Sequence, residues 1–232
     1  SCTECGWTSV KWVGQCGECQ AWDTMREGTA GGGKGLGSVK SVKASVIVAS
    51  SAAKPITQIS TESVASRSTK VAEFDRVLGG GLVPGAVVLL SGEPGVGKST
   101  LLLEVAAKTA QTGAKVLYVS GEESVGQIRL RAERTGALSD NLFLASETDL
   151  ANVLGQVAAV QPELLVVDSV QTIAHAEIDG AAGMPSQIRE VATNLIRLAK
   201  ENNLPVILVG HVTKDGNIAG PRALEHLVDV VC

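Results

Sequence analysis

The stretch Gly92-Glu93-Pro94-Gly95-Val96-Gly97-Lys98-Ser99-Thr100 has the spacing G-x-x-x-x-G-K-[ST]. Glycines at those places let several backbone N–H groups converge on phosphate oxygens. A helix opening at the lysine aims the positive end of its dipole at the same anion. In that arrangement Lys98 reaches the β- and γ-phosphates of ATP, and the Ser99 hydroxyl ligates Mg²⁺. Phosphoryl transfer to water also needs a second carboxylate for the metal and a group that orients the water. Asp168, at the end of the apolar run Leu164–Val167, fits the first need, holding Mg²⁺ directly or through water. Glu122, or else Glu123, fits the second; both are also ordinary residues for a helix start, where the dipole favours acids. His211 follows the apolar run Val206–Val209 and Gly210. A polar side chain there would sit near the γ-phosphate and could signal to the loop Val212–Pro221, although a lone histidine is also commonly a plain hydrogen-bonding group.

A second constellation stands at the amino end. Cys2, Cys5, Cys16 and Cys19 form C-x2-C-x10-C-x2-C. Two such knuckles let four thiolates converge tetrahedrally on Zn²⁺, a closed structural site with no position left for water. Gly6 and Gly17, each beside a cysteine, are expected to permit the tight turns. A segment this short cannot bury enough core to fold alone, so metal ligation has to supply the stability. The rivals are disulfides, disfavoured in a reducing compartment, and loose thiols in a disordered end. Cys232 reads as a buried apolar-strand cysteine.

These residues need a frame. Short aliphatic runs at Val87–Leu90, Val116–Val119, Leu142–Leu144, Leu164–Val167 and Val206–Val209 predict strands, with Val228–Val231 a sixth candidate. Helical spacing at Lys98–Gln111, Val125–Arg134, Leu150–Val160 and Pro185–Asn202 alternates with them. Nearly continuous apolar strands mean burial on both faces, hence an α/β fold with a mostly parallel central sheet covered by helices. Ligands of such sheets bind beyond the carboxyl ends of the strands, where the P-loop, Glu122, Asp168 and His211 all fall.

Composition supports two folded parts. Of 232 residues, 44% are hydrophobic and 19% charged, enough for a core and against wholesale disorder. All three tryptophans (Trp7, Trp12, Trp22) and four of the five cysteines lie in the first 22 residues. Residues 28–70, rich in Gly, Ser, Ala, Thr and Lys, read as a flexible linker. The expected domains are therefore 1–27, 28–70 and 71–232. Residues 1–70 carry 8 Lys and Arg against 5 Asp and Glu, whereas 71–232 carry 12 against 19. That balance excludes a strongly basic nucleic-acid binder; any DNA contact has to come from local loops. No apolar run reaches the length of a membrane span, and no secretory signal is legible, so a cytoplasmic protein is expected.

The ordered set of CxxC pairs with tryptophans, Leu78-Gly-Gly-Gly-Leu-Val-Pro-Gly85, GEPGVGKST, YVSGEES, LLVVDSVQT and GHVTKDGNIAGPRALEH resembles the RadA (Sms) family of bacterial DNA repair proteins. The resemblance covers nearly the whole chain. It implies a RecA-like P-loop ATPase core preceded by a small four-cysteine zinc ribbon. It further implies a DNA-dependent ATPase of homologous recombination: a hexameric ring motor on single-stranded DNA that promotes branch migration and works with the RecA recombinase. Two mobile DNA-facing loops would map to about Gln171–Ser186 and Val212–Pro221. The first carries His175, Glu177 and Asp179 and no Lys or Arg; the second carries Lys214, with Arg222 just beyond. Family members continue with a Lys-Asn-Arg-Phe-Gly motif and a Lon-protease-like domain, and the sequence in hand stops ahead of both. The resemblance thus implies a piece of a longer protein that hydrolyses ATP poorly by itself. Two alternatives remain at this level: a RecA-like signalling ATPase or autokinase, and a zinc-ribbon adaptor with a nucleotide switch.

Overall fold

The computed structural model describes residues 2–7, 14–22, 24, 54–58, 65–211 and 224–232. The chain divides into two compact units, Ser1–Lys54 and Pro55–Cys232. Most of the expected linker lies outside the described residues, as do Trp12, the loop Val212–Pro221 with Lys214, and Arg222. Arg67 and Leu82 form an antiparallel bridge, so the larger unit already engages the chain ahead of Lys70.

The larger unit is built on six parallel strands: β1 (Val87–Gly92), β2 (Val116–Ser120), β3 (Leu142–Ser146), β4 (Leu164–Asp168), β5 (Val206–His211) and β6 (Val230–Val231). Their order across the sheet is β3-β2-β4-β5-β1-β6. Among the described residues five α-helices accompany them: α1 (Ala72–Val77), α2 (Lys98–Gln111), α3 (Val125–Thr135), α4 (Leu150–Val160) and α5 (Pro185–Asn202). Alternate strand residues point to opposite faces, and the core separates accordingly. Val88, Val116, Tyr118, Val166 and Ile207 pack with Phe74 of α1, Leu102, Leu103 and Ala106 of α2, and Ile128 of α3. Val87, Leu117, Val119, Val167 and Leu208 pack with Leu150 and Val153 of α4 and with Ile188, Val191 and Leu195 of α5. Both faces are covered, which is why the strands read as unbroken apolar runs.

Helix boundaries follow local chemistry. The α3 helix opens on a capping box, Ser124 with Gln127, and closes on Gly136 in the left-handed region. The α4 helix opens on Asp149, which accepts the Ala151 N–H at 2.7 Å. Pro185 starts α5. The six-residue α1, absent from the sequence expectations, is too short to display a period. Its own Asp75 ties it to the chain before it, accepting the Ser68 hydroxyl at 2.7 Å and the Thr69 N–H at 2.8 Å. At the far edge, β6 is only two residues long, and Cys232 is half-buried rather than buried; its N–H bonds Leu89 O at 2.9 Å and its carbonyl accepts from Ser91 N at 2.8 Å. Among the described residues no helix is long and apolar enough to cross a membrane.

Candidate functional site

The carboxyl ends of four strands converge. In the pairing register Gly92 stands opposite His211, and Ser120 opposite Asp168. The turn after β1 uses Gly95 and Gly97 at φ of +84° and +94°, a region closed to most side chains. Gly97 thereby becomes the residue before α2, and its carbonyl accepts the Leu101 N–H at 2.9 Å. Glu93, Pro94, Gly95, Val96 and Gly97 are exposed, whereas Lys98 is buried at the helix start. The Lys98 ammonium donates to the Gly92 and Glu93 carbonyls at 2.8 and 2.7 Å. Burial lowers its pKa, and the Asp168 and Glu122 carboxylates facing it draw it back up. Lys98, Asp168 and Glu122 thus share one electrostatic neighbourhood. Ser99 is half-buried and Thr100 exposed on the first turn of α2.

The two glutamates part company. The buried Ser120 caps the turn after β2, its hydroxyl accepting the Glu122 and Glu123 N–H groups at 3.2 and 2.9 Å. From there Glu122 Oε1 accepts the Ser169 hydroxyl at 2.6 Å and lies 3.0 Å from His211 Nε2. Glu123 turns instead toward α3 and pairs with Arg131 at 2.7 Å. Asp168 is buried at the end of β4. Its Oδ2 accepts the Tyr118 hydroxyl at 2.6 Å, while its Oδ1 is buried with no hydrogen-bond partner among the described residues. An orphaned carboxylate oxygen beside a buried ammonium and a helix amino terminus suits a divalent cation carried by a phosphate chain. His211 Nδ1 is likewise buried and unpartnered.

Sequence reasoning missed several residues here. Ser169 follows Asp168 and gave no signal as a partner of Glu122. Gly121 is another: a Cβ on it would lie 2.0 Å from Thr172 Oγ1 and 2.7 Å from Thr172 Cβ. Thr172 is held in turn by its hydroxyl bond to Ser169 O at 2.7 Å. Gln187 is the third. Its buried amide accepts the His175 N–H at 2.8 Å and donates to the carbonyls of Ile178 and Gly180 at 2.6 and 3.1 Å. The loop expected to be mobile is therefore fastened along His175–Gly180 by one side chain. A buried glutamine at the head of α5 is a usable signal for that.

In the smaller unit the four cysteine sulfurs lie within 4.8 Å of one another. Cys2 and Cys19 are 3.7 Å apart and Cys5 and Cys16 3.5 Å. A tetrahedral thiolate site with metal–sulfur bonds of about 2.3 Å has sulfur–sulfur edges of about 3.8 Å, so the donor set fits such a metal. All four are free of disulfides. The Thr24 hydroxyl, 3.3 Å from Cys2 Sγ, leads the hydrogen bonds that pull this thiol down to about 6. The turns differ from expectation in one respect. Gly6 has φ of +77°, but the matching place after the second knuckle is Gln20 at φ of +56°. Gly17 is small for another reason, because a Cβ there would meet the Trp7 ring at 2.8 Å.

The family model for an AAA domain matches residues 53–217, and that for a rubredoxin metal binding domain matches residues 1–27. The chain belongs to the AAA domain family. Its likeness to RadA proteins, legible in the motifs, stands as well. It is 51% identical, over 99% of its length, to DNA repair protein RadA of Mycobacterium tuberculosis, covering 47% of that protein. It is 52% identical to the protein of the same name in Mycolicibacterium smegmatis, covering 50%. For the Listeria monocytogenes protein the identity is 46% and the share covered 49%. The chain thus spans about half the length of the curated relatives it matches. The AAA match takes in strands β1 to β5 and the P-loop, and the rubredoxin match coincides with the four-cysteine cluster.

Proposed function

We propose that this chain is the nucleotide-driven part of a DNA-dependent ATPase acting in DNA repair and homologous recombination. In this reading the whole protein forms a ring, a hexamer, that moves on single-stranded DNA and promotes branch migration together with RecA. Its support is the RadA relatives and one observation above all: at the carboxyl edge of the sheet Lys98 bonds Gly92 O at 2.8 Å, Gly92 stands opposite His211, and His211 lies 3.0 Å from Glu122, which accepts at 2.6 Å from Ser169 next to Asp168.

The roles follow from the chemistry of each group. The amides from Gly92 to Thr100 and the Lys98 ammonium bind the phosphates of ATP or ADP. Ser99 and Asp168 Oδ1 hold Mg²⁺, which when bound neutralises charge on the transferring phosphate. Glu122 is the group that orients the attacking water. The Ser169 hydroxyl and His211 fix its Oε1, which leaves Oε2 for that water. Glu123, engaged by Arg131, serves the turn instead. Cys2, Cys5, Cys16 and Cys19 hold a structural Zn²⁺; a tetrahedral four-thiolate set also accepts iron, and elemental analysis of the purified protein separates the two.

The test is steady-state ATP hydrolysis against single-stranded DNA concentration, on this chain and on a polypeptide of its relatives' length. Stimulation by DNA in the longer protein, lost in Lys98→Ala, is the expected result. Turnover indifferent to DNA would sink the motor reading and favour an adaptor with a nucleotide switch.

A further inference from the structure

Tyr118 is the sole tyrosine of the chain, and it stands at 0% exposure in the middle of β2, between the buried Leu117 and Val119 and beside the buried Val166. For packing alone a phenylalanine would serve as well, and a buried phenol has to find a partner for its hydroxyl. The register explains which partner it finds. Tyr118 stands beside Val166 on the neighbouring strand, and Asp168 lies two residues on, hence on the same face. The phenol spans that gap and donates to Asp168 Oδ2 at 2.6 Å. The other oxygen, Oδ1, is buried with no donor among the described residues.

One donor to two buried oxygens leaves the carboxylate asymmetric. A free aspartate could rotate about its terminal bond and exchange its oxygens. With Oδ2 anchored, the orientation of Oδ1 is set. We propose that Tyr118 is a positioning residue for Asp168, turning Oδ1 toward the divalent cation that accompanies the nucleotide. Partners of this kind, one step behind a metal-binding group, commonly govern metal affinity.

The proposal rests on Asp168 being the metal-facing carboxylate, so the experiment measures both. The probe is N-methylanthraniloyl-ADP, titrated into the 232-residue chain once in EDTA and once in MgCl2; the ratio of the two affinities is the metal-dependent gain. Tyr118→Phe is expected to bind the metal-free probe as the parent does and to lose about tenfold of the gain. Asp168→Asn is expected to lose the gain altogether. If Asp168→Asn keeps it, the reading of the site itself falls, and this inference with it. If Asp168→Asn loses the gain and Tyr118→Phe keeps it, only the role of Tyr118 is overturned. A second measurement needs no substitution of the pair. Incorporated 3-fluorotyrosine gives one ¹⁹F resonance because there is one tyrosine. That resonance should move when MgCl2 is added to the ADP-bound chain, and a resonance that stays put overturns the proposal.

Discussion

Gly121 offers the sharpest test of how the site is built. A methyl group at this position would overlap Thr172, at 2.0 Å from Oγ1 and 2.7 Å from Cβ, with Glu147 O a further 3.3 Å away. Rotating the threonine relieves only the first overlap, because the Cβ does not move with χ1. Comfortable carbon–carbon contact is about 3.5–4.0 Å, so one backbone has to give way by about 1 Å. Either the turn after β2 shifts, or the segment Val170–Thr172 does. Both movements open the 2.6 Å bond between Ser169 and Glu122, since these residues flank the two sides of the overlap. The cost expected from such overpacking is about 1–3 kcal/mol, which for a unit of this size lowers the melting temperature by about 2–12 °C. Gly121→Ala should therefore melt lower and, in the longer protein, turn over ATP more slowly. Thr172→Gly removes the Cβ that is struck, so the double variant should recover part of the loss, with a coupling of about 1 kcal/mol or more. A Gly121→Ala protein that melts with the parent and hydrolyses ATP at the parent rate would refute the packing argument.

Three further outcomes are expected. Cys16→Ser should release the metal, seen by elemental analysis, while thermal melting of the Pro55–Cys232 unit stays at the parent temperature. Burial raises the Asp75 carboxyl, but the bonds from Ser68 and Thr69 outweigh it and hold the group below its ordinary value. A depressed folded pKa gives stability that is present above the unfolded value of about 3.9 and lost as pH falls through the folded one. Urea melts of Asp75→Asn should then show a deficit of about 1–2 kcal/mol at neutral pH, shrinking below about pH 4. Gln187→Leu removes the ties to His175, Ile178 and Gly180. Amide hydrogen exchange across 175–180 should speed up at least tenfold while β4 and β5 exchange as before; unchanged exchange in the loop would show that the amide does not hold it.

Much of the frame was legible because both faces of the sheet are buried. The run at Leu164–Val167 has no polar member and that at Val116–Val119 only the phenol of Tyr118, and the helices between them carry clear periods, so strands and helices fell within a residue or two of their observed ends. The P-loop and the CxxC pairs were legible for a different reason: the chemistry of phosphate and metal binding fixes residue type and spacing along the chain. What stayed hidden depends on contacts across strands. Gly121 reads as any turn glycine until Thr172, 51 positions later, is brought against it. Gly17 likewise reads as a turn residue until the Trp7 ring packs on it.

The choice between Glu122 and Glu123 shows where sequence reasoning ends. Adjacent residues on a turn differ in direction by an amount that no local propensity fixes. Here the direction is fixed by one local contact and two reaching other elements, acting together. Ser120 captures both amides, which sets the turn. Arg131, two turns along α3, claims Glu123. Ser169 and His211, delivered by β4 and β5, claim Glu122. Each partner comes from a different element, so the assignment is a property of the sheet order rather than of the peptide. The same logic separates the two oxygens of Asp168, one anchored by Tyr118 from β2 and the other left free at the edge of the sheet. A parallel sheet with this order brings β2, β4 and β5 side by side, and it is that adjacency which turns scattered polar residues into one crevice with distinct duties for neighbouring atoms.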